Sequence, residues 1–306
     1  MLSAREAAAA LAAGFRRVGV DVEELPVADG GEGTAEALWS ALGGEWRETV
    51  VTDPLGRKID ARFLRIPDGR AVVESAEAIG LSLLASGERD PVRASSRGLG
   101  ELLAAAVGDG ARELVVGLGG SATVDGGAGL REVISALPVR TVVACDVSNP
   151  LLGERGAARA FGPQKGATPA QVEELEVRLE AMEELRPVAE LPGAGSAGGL
   201  GAAMAALGAE LVPGAELVLE VLGFRERVRG GALVVTGEGV VDASTAEGKA
   251  PGAVLRVCRE EGVRCAIFGG RVEEALPGAQ MHALSGDPAR ARDDLVALGE
   301  TLARNL

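Results

Sequence analysis

Glycine-rich loops that also carry acids and lysines are the most informative feature of this sequence. Six clusters stand out, of which all but 145–150 contain glycine and all but 193–199 contain Asp, Glu or Lys: 29–34, 117–127, 145–150, 161–166, 193–199 and 236–242, with Gly248 and Lys249 just beyond the last. Glycine lets a backbone approach a ligand, and N–H groups at helix N-termini bind phosphate. Acids among these glycines would repel phosphate unless a divalent cation such as Mg²⁺ lay between them. The combination predicts metal-assisted phosphoryl transfer.

Two smaller motifs give a weaker alternative, an NAD-linked oxidoreductase. Gly117-x-Gly119-x-x-Ala122 follows a strand-like run and formally fits the dinucleotide fingerprint. The segment 124–127 interrupts the helix that should follow it, and the similar spacing within 193–198 follows a proline instead of a strand. A well-placed catalytic histidine is also missing, because His282 is the one histidine of the chain. Each cluster, taken alone, also fits a tight turn or a close helix–strand contact.

Composition excludes several other classes of protein. The 306 residues include 31 basic and 45 acidic side chains, a net charge of −14, which argues against nucleic acid as a partner. Apolar residues make up 47% of the chain, enough for a core, and no run approaches the ~18 apolar residues of a membrane span. The three cysteines have no C-x-x-C spacing, so we expect reduced thiols and a cytoplasmic location.

The sequence contains two kinds of secondary-structure pattern, one typical of parallel α/β structure and one typical of an antiparallel sheet. β-branched runs of the kind buried in parallel sheets are found at 112–120, 232–239 and 263–270, and helical patterns at 1–17, 95–111, 168–185 and 249–262. Thr168 and Pro169 form a typical helix start. By contrast, residues 46–84 alternate polar and apolar side chains between turn signals at 53–56 and 67–69, which predicts an antiparallel meander.

The presence of parallel and antiparallel patterns in one chain predicts two α/β domains. We assign residues 1–48 and 226–306 to a discontinuous Rossmann-like, doubly wound domain with a mostly parallel sheet. We assign residues 49–225 to a second α/β domain with a mixed sheet.

Several long motifs resemble the bacterial type I glycerate kinase family, in family order and across nearly the whole chain. They are residues 26–34 (PVADGGEGT), 53–57 (DPLGR), 119–123 (GGSAT), 144–151 (ACDVSNPL), 161–169 (FGPQKGATP) and 236–239 (TGEG). The resemblance implies ATP- and Mg²⁺-dependent phosphorylation of D-glycerate, with 2-phosphoglycerate as the expected product. It also implies two α/β domains with the substrate cleft between them.

The sequence departs from the family pattern at four places. Members normally begin with a strand and a Pro-Asp-Ser-Phe-Lys turn, whereas this chain starts at Met1-Leu2-Ser3-Ala4. The segment 129–142 is shorter than usual, Val124 replaces an Asn, and Ser244 replaces a Gln. These departures leave a second hypothesis open, a catalytically impaired relative that binds glycerate or a nucleotide.

Site roles follow from the resemblance and from the needs of phosphoryl transfer. We expect Asp125 to act as base or metal ligand, Asp146 to lie at the carboxyl end of a strand where open α/β sheets place ligands, and Lys165 to bind phosphate or glycerate. The expected substrate- or nucleotide-binding residues are Gly30, Gly31, Gly33, Arg57, Gly119, Gly120, Ser121, Thr123, Asn149, Gly237, Gly239 and Lys249. The expected metal ligands are Asp29, Glu32, Glu238 and Asp242.

Among the binding residues, Asn149 would orient the substrate, Lys249 would reach a phosphate, and Arg57 would bind the acceptor carboxylate bidentately. The expected partners are therefore glycerate and ATP, with neither nucleic acid nor membrane, and a homo-oligomer is compatible with the sequence. Residues alone do not choose between 2- and 3-phosphoglycerate, or identify which carboxylate is the base.

Overall fold

The chain folds into two units, each with its own sheet and core. One comprises Met1–Asp29 and Ala215–Leu306, and the other Gly30–Gly214; we call them the first and the second unit. The structure, a computed structural model, describes residues 2–246 and 249–306, so Met1 and Gly248 lie outside the described residues.

The elements are named in chain order. The strands are β1 (Glu45–Thr52), β2 (Lys58–Arg65), β3 (Arg70–Glu74), β4 (Glu113–Leu118), β5 (Arg140–Cys145), β6 (Glu210–Pro213), β7 (Leu233–Val241), β8 (Arg264–Val272) and β9 (Gln280–Ala283). The α-helices are α1 (Ala4–Arg17), α2 (Thr34–Leu42), α3 (Ser75–Ile79), α4 (Arg97–Gly108), α5 (Ala128–Val133), α6 (Ala157–Phe161), α7 (Pro169–Glu180), α8 (Ser196–Ala206), α9 (Gly214–Val221), α10 (Phe224–Val228), α11 (Ala250–Glu260) and α12 (Ala291–Ala303). Short 3₁₀ turns occur at Leu81–Leu83, Ser86–Glu88, Pro163–Lys165, Glu183–Val188 and Ala243–Ala246.

The division differs from the expected boundaries at 48/49 and 225/226. Helix α2 belongs to the second unit because Ala35 donates its N–H to the Glu74 carboxylate of β3. Helix α9 places Ala215 and Leu219 in the core of the first unit. Both helices lie close to a boundary, where hydrophobic pattern alone does not say which neighbour a helix packs against.

The second unit has a mixed six-stranded sheet in the order β1-β2-β3-β4-β5-β6. β1, β2 and β3 pair antiparallel, and β3 to β6 pair parallel. The predicted meander is therefore confirmed as far as Glu74, but residues 75–79 form α3 instead of continuing it. Ser75, Ala78 and Ile79 are all buried, and their spacing of three and four residues fits a helix face.

Packing on this sheet follows the alternation of its strands. Val116 of β4 and Val143 of β5 lie in one buried cluster with Leu99 and Leu103 of α4. Thr168 caps α7 by accepting from Gln171, with Pro169 at the first helical position, as predicted.

The first unit has a parallel sheet in the order β7-β8-β9 with helices on both faces. Cys265 and Ile267 of β8 pack in the cluster that holds α11, whereas Ala266, between them, packs with α1 and α12. The two latter helices cross closely at Gly14, where a Cβ would collide with the carbonyl oxygen of Val296. The expected α/β fold, with one parallel and one mixed sheet, is confirmed.

Strand β7 is an edge of its sheet, because its described pairing is with β8 alone. A largely apolar cavity of about 400 Å³ lies along it, lined also by α1 and residues 20–27. None of the described helices has the length and hydrophobicity needed to cross a bilayer.

Candidate functional site

Four of the six clusters, 117–127, 145–150, 161–166 and 193–199, lie wholly in the second unit, and so do residues 30–34 of the first cluster. The first two pack backbone against backbone, because a Cβ added to Gly119 would lie 2.8 Å from the Cα of Gly31, and one added to Gly117 would lie 2.8 Å from the carbonyl oxygen of Gly30. Gly30 itself has a positive φ of 95° and faces the Cβ of Ala144 at the end of β5. These positions require glycine so that the two loops can touch.

The cluster 193–199 packs on both 117–127 and 145–150. A Cβ on Gly198 would collide with the carbonyl oxygen of Thr123, and one on Gly195 would collide with that of Pro150. Ala197 has a φ of 51°, the one positive value among the described non-glycine residues. Backbone strain of this kind collects at functional sites.

Lys165 joins the fourth cluster to the second. Its Nζ donates to Ser121 Oγ and to the carbonyl oxygen of Thr123, each at 2.8 Å, and the residue is 3% exposed. Burial lowers the pKa of Lys165 to about 7, and the nearby Asp125 carboxylate opposes this shift. Lys165, which was expected to bind phosphate or glycerate, thus donates to the loop 117–127 and, in this geometry, holds that loop in place.

The stability of the second unit should depend on this buried lysine. Between pH 7 and 10.5, the unfolded chain keeps a proton on Lys165 that the folded chain has lost, so stability rises with pH in this window. Below pH 7 both states are protonated, and the cost of burying the cation is complete. Between pH 7 and 10.5, we expect the free energy of unfolding to rise more steeply with pH in the wild type than in Lys165→Met. The two slopes should differ by roughly 1 kcal/mol per pH unit. Urea unfolding at three pH values checks this, and equal slopes would contradict it.

Ser121 and Thr123 are also buried, at 4% and 0% exposure. Ser121 faces Lys165, and the Thr123 hydroxyl has no hydrogen-bond partner among the described residues. Gly120 has a φ of 64°, and its carbonyl oxygen accepts from Leu81. The loop is therefore fixed by its scaffold.

Both carboxylate oxygens of Asp125 accept hydrogen bonds from neighbouring groups of the protein. Its Oδ2 accepts from the backbone N–H and hydroxyl of Ser96 at 2.9 and 2.7 Å and from the N–H of Gly129 at 3.1 Å, while Oδ1 accepts from the N–H of Gly127 at 3.1 Å. Four donors on one carboxylate fit a structural cap better than a base or a metal ligand.

Asp146 follows the last residue of β5 and is exposed, at the carboxyl end of a parallel strand as expected. Asn149, three residues on, donates its side-chain N–H to the carbonyl oxygen of Arg155 at 2.6 Å, so its amide stabilises the local turn. Burial raises the pKa of the preceding Cys145 to about 11, which leaves that thiol protonated and unreactive at neutral pH.

The loop before α2 presents a different arrangement from the expected phosphate cradle. Gly33 caps the helix with a φ of 91°, and the first N–H groups of α2 point at the buried carboxylate of Glu74. The expected metal ligands Asp29 and Glu32 are both exposed, and they belong to the first and the second unit respectively. Glu74 was missed in the sequence because no glycine or charge cluster marks it.

Arg57 is likewise engaged within its own turn. Its Nε lies 2.5 Å from Asp53 Oδ2, and its Nη1 lies 2.7 Å from Glu88 Oε1. A guanidinium that already binds two carboxylates would have to release one of them before binding an acceptor carboxylate bidentately.

The sixth cluster lies in the first unit, at the end of β7 and beyond it. Lys249 Nζ lies 3.5 Å from Glu238 Oε2 and 3.5 Å from Asp242 Oδ1, so two carboxylates converge on one cationic group. Gly237 packs tightly on Phe268, whereas a side chain on Gly239 would meet open space. Over residues 2–246 and 249–306 there is no group of three or more His, Cys, Asp or Glu side chains that could hold a metal ion.

Comparison with protein families finds one matching model, described as the glycerate kinase family. It matches residues 1–140 and 133–286, and the two stretches meet within the segment that the resemblance marks as shortened.

Individual relatives give the same result. "Glycerate 2-kinase" of Escherichia coli (strain K12) is 42% identical over 301 residues, covering 85% of this chain and 79% of the relative. "Glycerate kinase" of Bacillus subtilis (strain 168) is 38% identical over 325 residues, covering 92% and 85%. A crystal structure of a provisionally named glycerate kinase 2 from Salmonella typhimurium LT2 superposes with a TM-score of 0.87 at 34% identity, covering 99% of this chain and 94% of that one.

Proposed function

The chain belongs to the glycerate kinase family and is an enzyme of that family, and we propose that it transfers the γ-phosphoryl group of ATP to D-glycerate with Mg²⁺. The observation that carries the proposal is the convergence of five loops in the second unit, four of them rich in glycine, which are tied together by backbone contacts and by Lys165. We propose 2-phosphoglycerate as the product, since the relative at 42% identity is named a glycerate 2-kinase.

Asp146 is the carboxylate we assign to the glycerate hydroxyl. It is exposed and directly follows the carboxyl end of β5, the place where open α/β sheets bind ligands. A carboxylate that accepts the hydroxyl proton as the phosphoryl group arrives is what transfer to an alcohol requires. Lys165 does not touch the substrate in this proposal, but its hydrogen bonds to Ser121 and Thr123 hold their loop in place. The N–H groups of Gly119 and Gly120 belong to the same loop.

The residues of the first unit that fit Mg²⁺ and nucleotide are Glu238, Asp242 and Lys249. Two carboxylates that converge on one cationic group suit Mg²⁺, which takes one or two carboxylates together with substrate phosphates. When bound, the metal would neutralise charge on the phosphates. In its absence, Lys249 supplies the positive charge that holds the two acids together.

An NAD-linked oxidoreductase fits the structure poorly. β4 ends at Leu118 and the next helix, α5, begins only at Ala128 and has six residues. The strand–turn–helix geometry that a dinucleotide fingerprint needs is therefore missing at the formal match 117–122.

ADP release in a coupled assay tests the proposed function. We expect release that depends on D-glycerate and stops when EDTA removes Mg²⁺, and phosphorus NMR of the product should show 2-phosphoglycerate. Glycerate binding without ADP release would instead support the impaired relative. The partners are small molecules in this proposal, and the cytoplasmic location stays a prediction.

A further inference from the structure

Glu74, the last residue of β3, holds the first glycine loop. Its Oε1 accepts from the N–H of Ala35 at 3.0 Å, and the N–H groups of Thr34 and Gly33 point at the same carboxylate. The residue is 7% exposed. The start of α2 is thus tied to the sheet through a side chain 39 residues away in the sequence.

Ser75, the next residue, holds the second glycine loop. It is fully buried, and its hydroxyl donates to the carbonyl oxygen of Gly119 at 2.8 Å. Glu74 is also the register partner of Gly117 in the pairing of β3 with β4. Two successive residues at one strand end therefore fix the loops 30–34 and 117–123.

The two loops leave no room for side chains between them. Gly117 packs on the carbonyl of Gly30, and Gly119 packs on the Cα of Gly31. Loops in backbone contact cannot adjust by moving a side chain, so a displacement of one loop displaces the other. Their separation is therefore set by the groups that anchor each loop to β3.

A buried carboxylate is a costly way to cap a helix. Burial raises the pKa of Glu74, and the charge of Glu77 raises it further, against the N–H groups of Ala35, Thr34 and Gly33 that lower it. A Ser, Thr or Asp at the cap position would satisfy these donors at the surface, but α2 has Gly33 there and no side-chain cap. Such a local cap would tie the helix only to itself, whereas Glu74 ties it to the sheet.

We propose that Glu74 and Ser75 are positioning residues that set the separation of the loops 30–34 and 117–123 for phosphoryl transfer. This inference rests on the proposed function, since it assigns the pair to the same site. Neither residue needs to touch substrate, because the effect passes through the N–H groups of α2 and the carbonyl of Gly119.

Steady-state kinetics of three variants test the proposal. We expect Glu74→Ala to lower kcat about 50-fold and Ser75→Ala to lower it about 10-fold, with KM changed less than about threefold. The reason is that misplaced loops weaken the stabilisation of the transition state more than the binding of the ground state. Glu74→Gln keeps an acceptor oxygen for Ala35 and should stay within about threefold of the wild type. The matched control is Glu210→Ala, because Glu210 is an exposed carboxylate on β6 that lies 3.2 Å from Arg140 Nη2, and it should leave kcat unchanged.

Amide hydrogen exchange keeps this test separate from that of the proposed function. We expect Glu74→Ala and Ser75→Ala each to speed exchange in both 33–36 and 117–121, whether or not the wild type phosphorylates glycerate. Faster exchange confined to each variant's own loop, kcat within twofold of wild type in both variants, or a Glu74→Gln as impaired as Glu74→Ala would overturn the proposal. If Glu74→Ala does not fold, Ser75→Ala and Glu74→Gln still decide the result.

Discussion

Replacing Lys165 with methionine is expected to lower kcat/KM about 100-fold while leaving the chain folded. Methionine fills a similar volume but cannot donate the two hydrogen bonds that hold Ser121 Oγ and the Thr123 carbonyl at 2.8 Å. The loop 119–125 then loses the contact that fixes it to the cluster 161–166. A displacement of about 1 Å in a phosphate-binding loop is enough for a loss of this size.

Lys58→Met is the matched control, because Lys58 is an exposed lysine that pairs with Glu101 at 3.6 Å on the surface. It should leave kcat/KM unchanged. A pH–rate profile adds a second readout, since a wild-type change near pH 7 should disappear in Lys165→Met if the titration of this amine controls the loop. Activity of Lys165→Met within a fewfold of the wild type would show that the two hydrogen bonds are dispensable.

Local pattern in the sequence predicted the elements well. The turn at 53–56 separates β1 from β2 as expected, and Asp53 Oδ1 accepts from the N–H groups of Leu55 and Arg57, two and four residues on. The strand-like runs at 112–120, 232–239 and 263–270 became β4, β7 and β8. These features depend on residues close in sequence, so periodicity and turn chemistry are sufficient to find them.

Roles within the site depend on distant partners and were harder to predict. Asp125 appeared to be a candidate base because its loop is rich in glycine, yet a main partner, Ser96, lies 29 residues earlier. Lys165 was expected to bind phosphate or glycerate, and its burial follows from the meeting of two loops 44 residues apart. Residue type selected these positions as candidates for one site, whereas tertiary contacts determine which of them support the loops.

The same distinction explains why Glu74 escaped notice. It ends a β-branched run, which identifies it as the last residue of a strand, but nothing local shows that its carboxylate receives the N–H groups that start α2. The glycines at 30, 117 and 119 carried the only available signal. Three glycines that cannot bear a Cβ imply that the backbones of two loops are in contact. Other side chains must then hold these two loops in place.

Replacing Asp146 with asparagine is expected to lower kcat about 1,000-fold with little change in stability. The side chain is exposed at the end of β5, so the substitution removes a proton acceptor without opening the core. Asp125→Asn makes the instructive comparison, because that side chain accepts four hydrogen bonds from Ser96, Gly127 and Gly129. We expect it to lower the free energy of unfolding by about 2 kcal/mol.

Single-turnover kinetics and urea unfolding of both variants separate the two roles. A large loss of turnover in Asp146→Asn at wild-type stability, together with a smaller loss in a destabilised Asp125→Asn, would assign the hydroxyl proton to Asp146. The reverse pattern would move the base to Asp125, and its four hydrogen bonds would then orient a reacting carboxylate. Because the two outcomes differ in which variant suffers the larger loss of turnover, one pair of measurements decides between the two carboxylates.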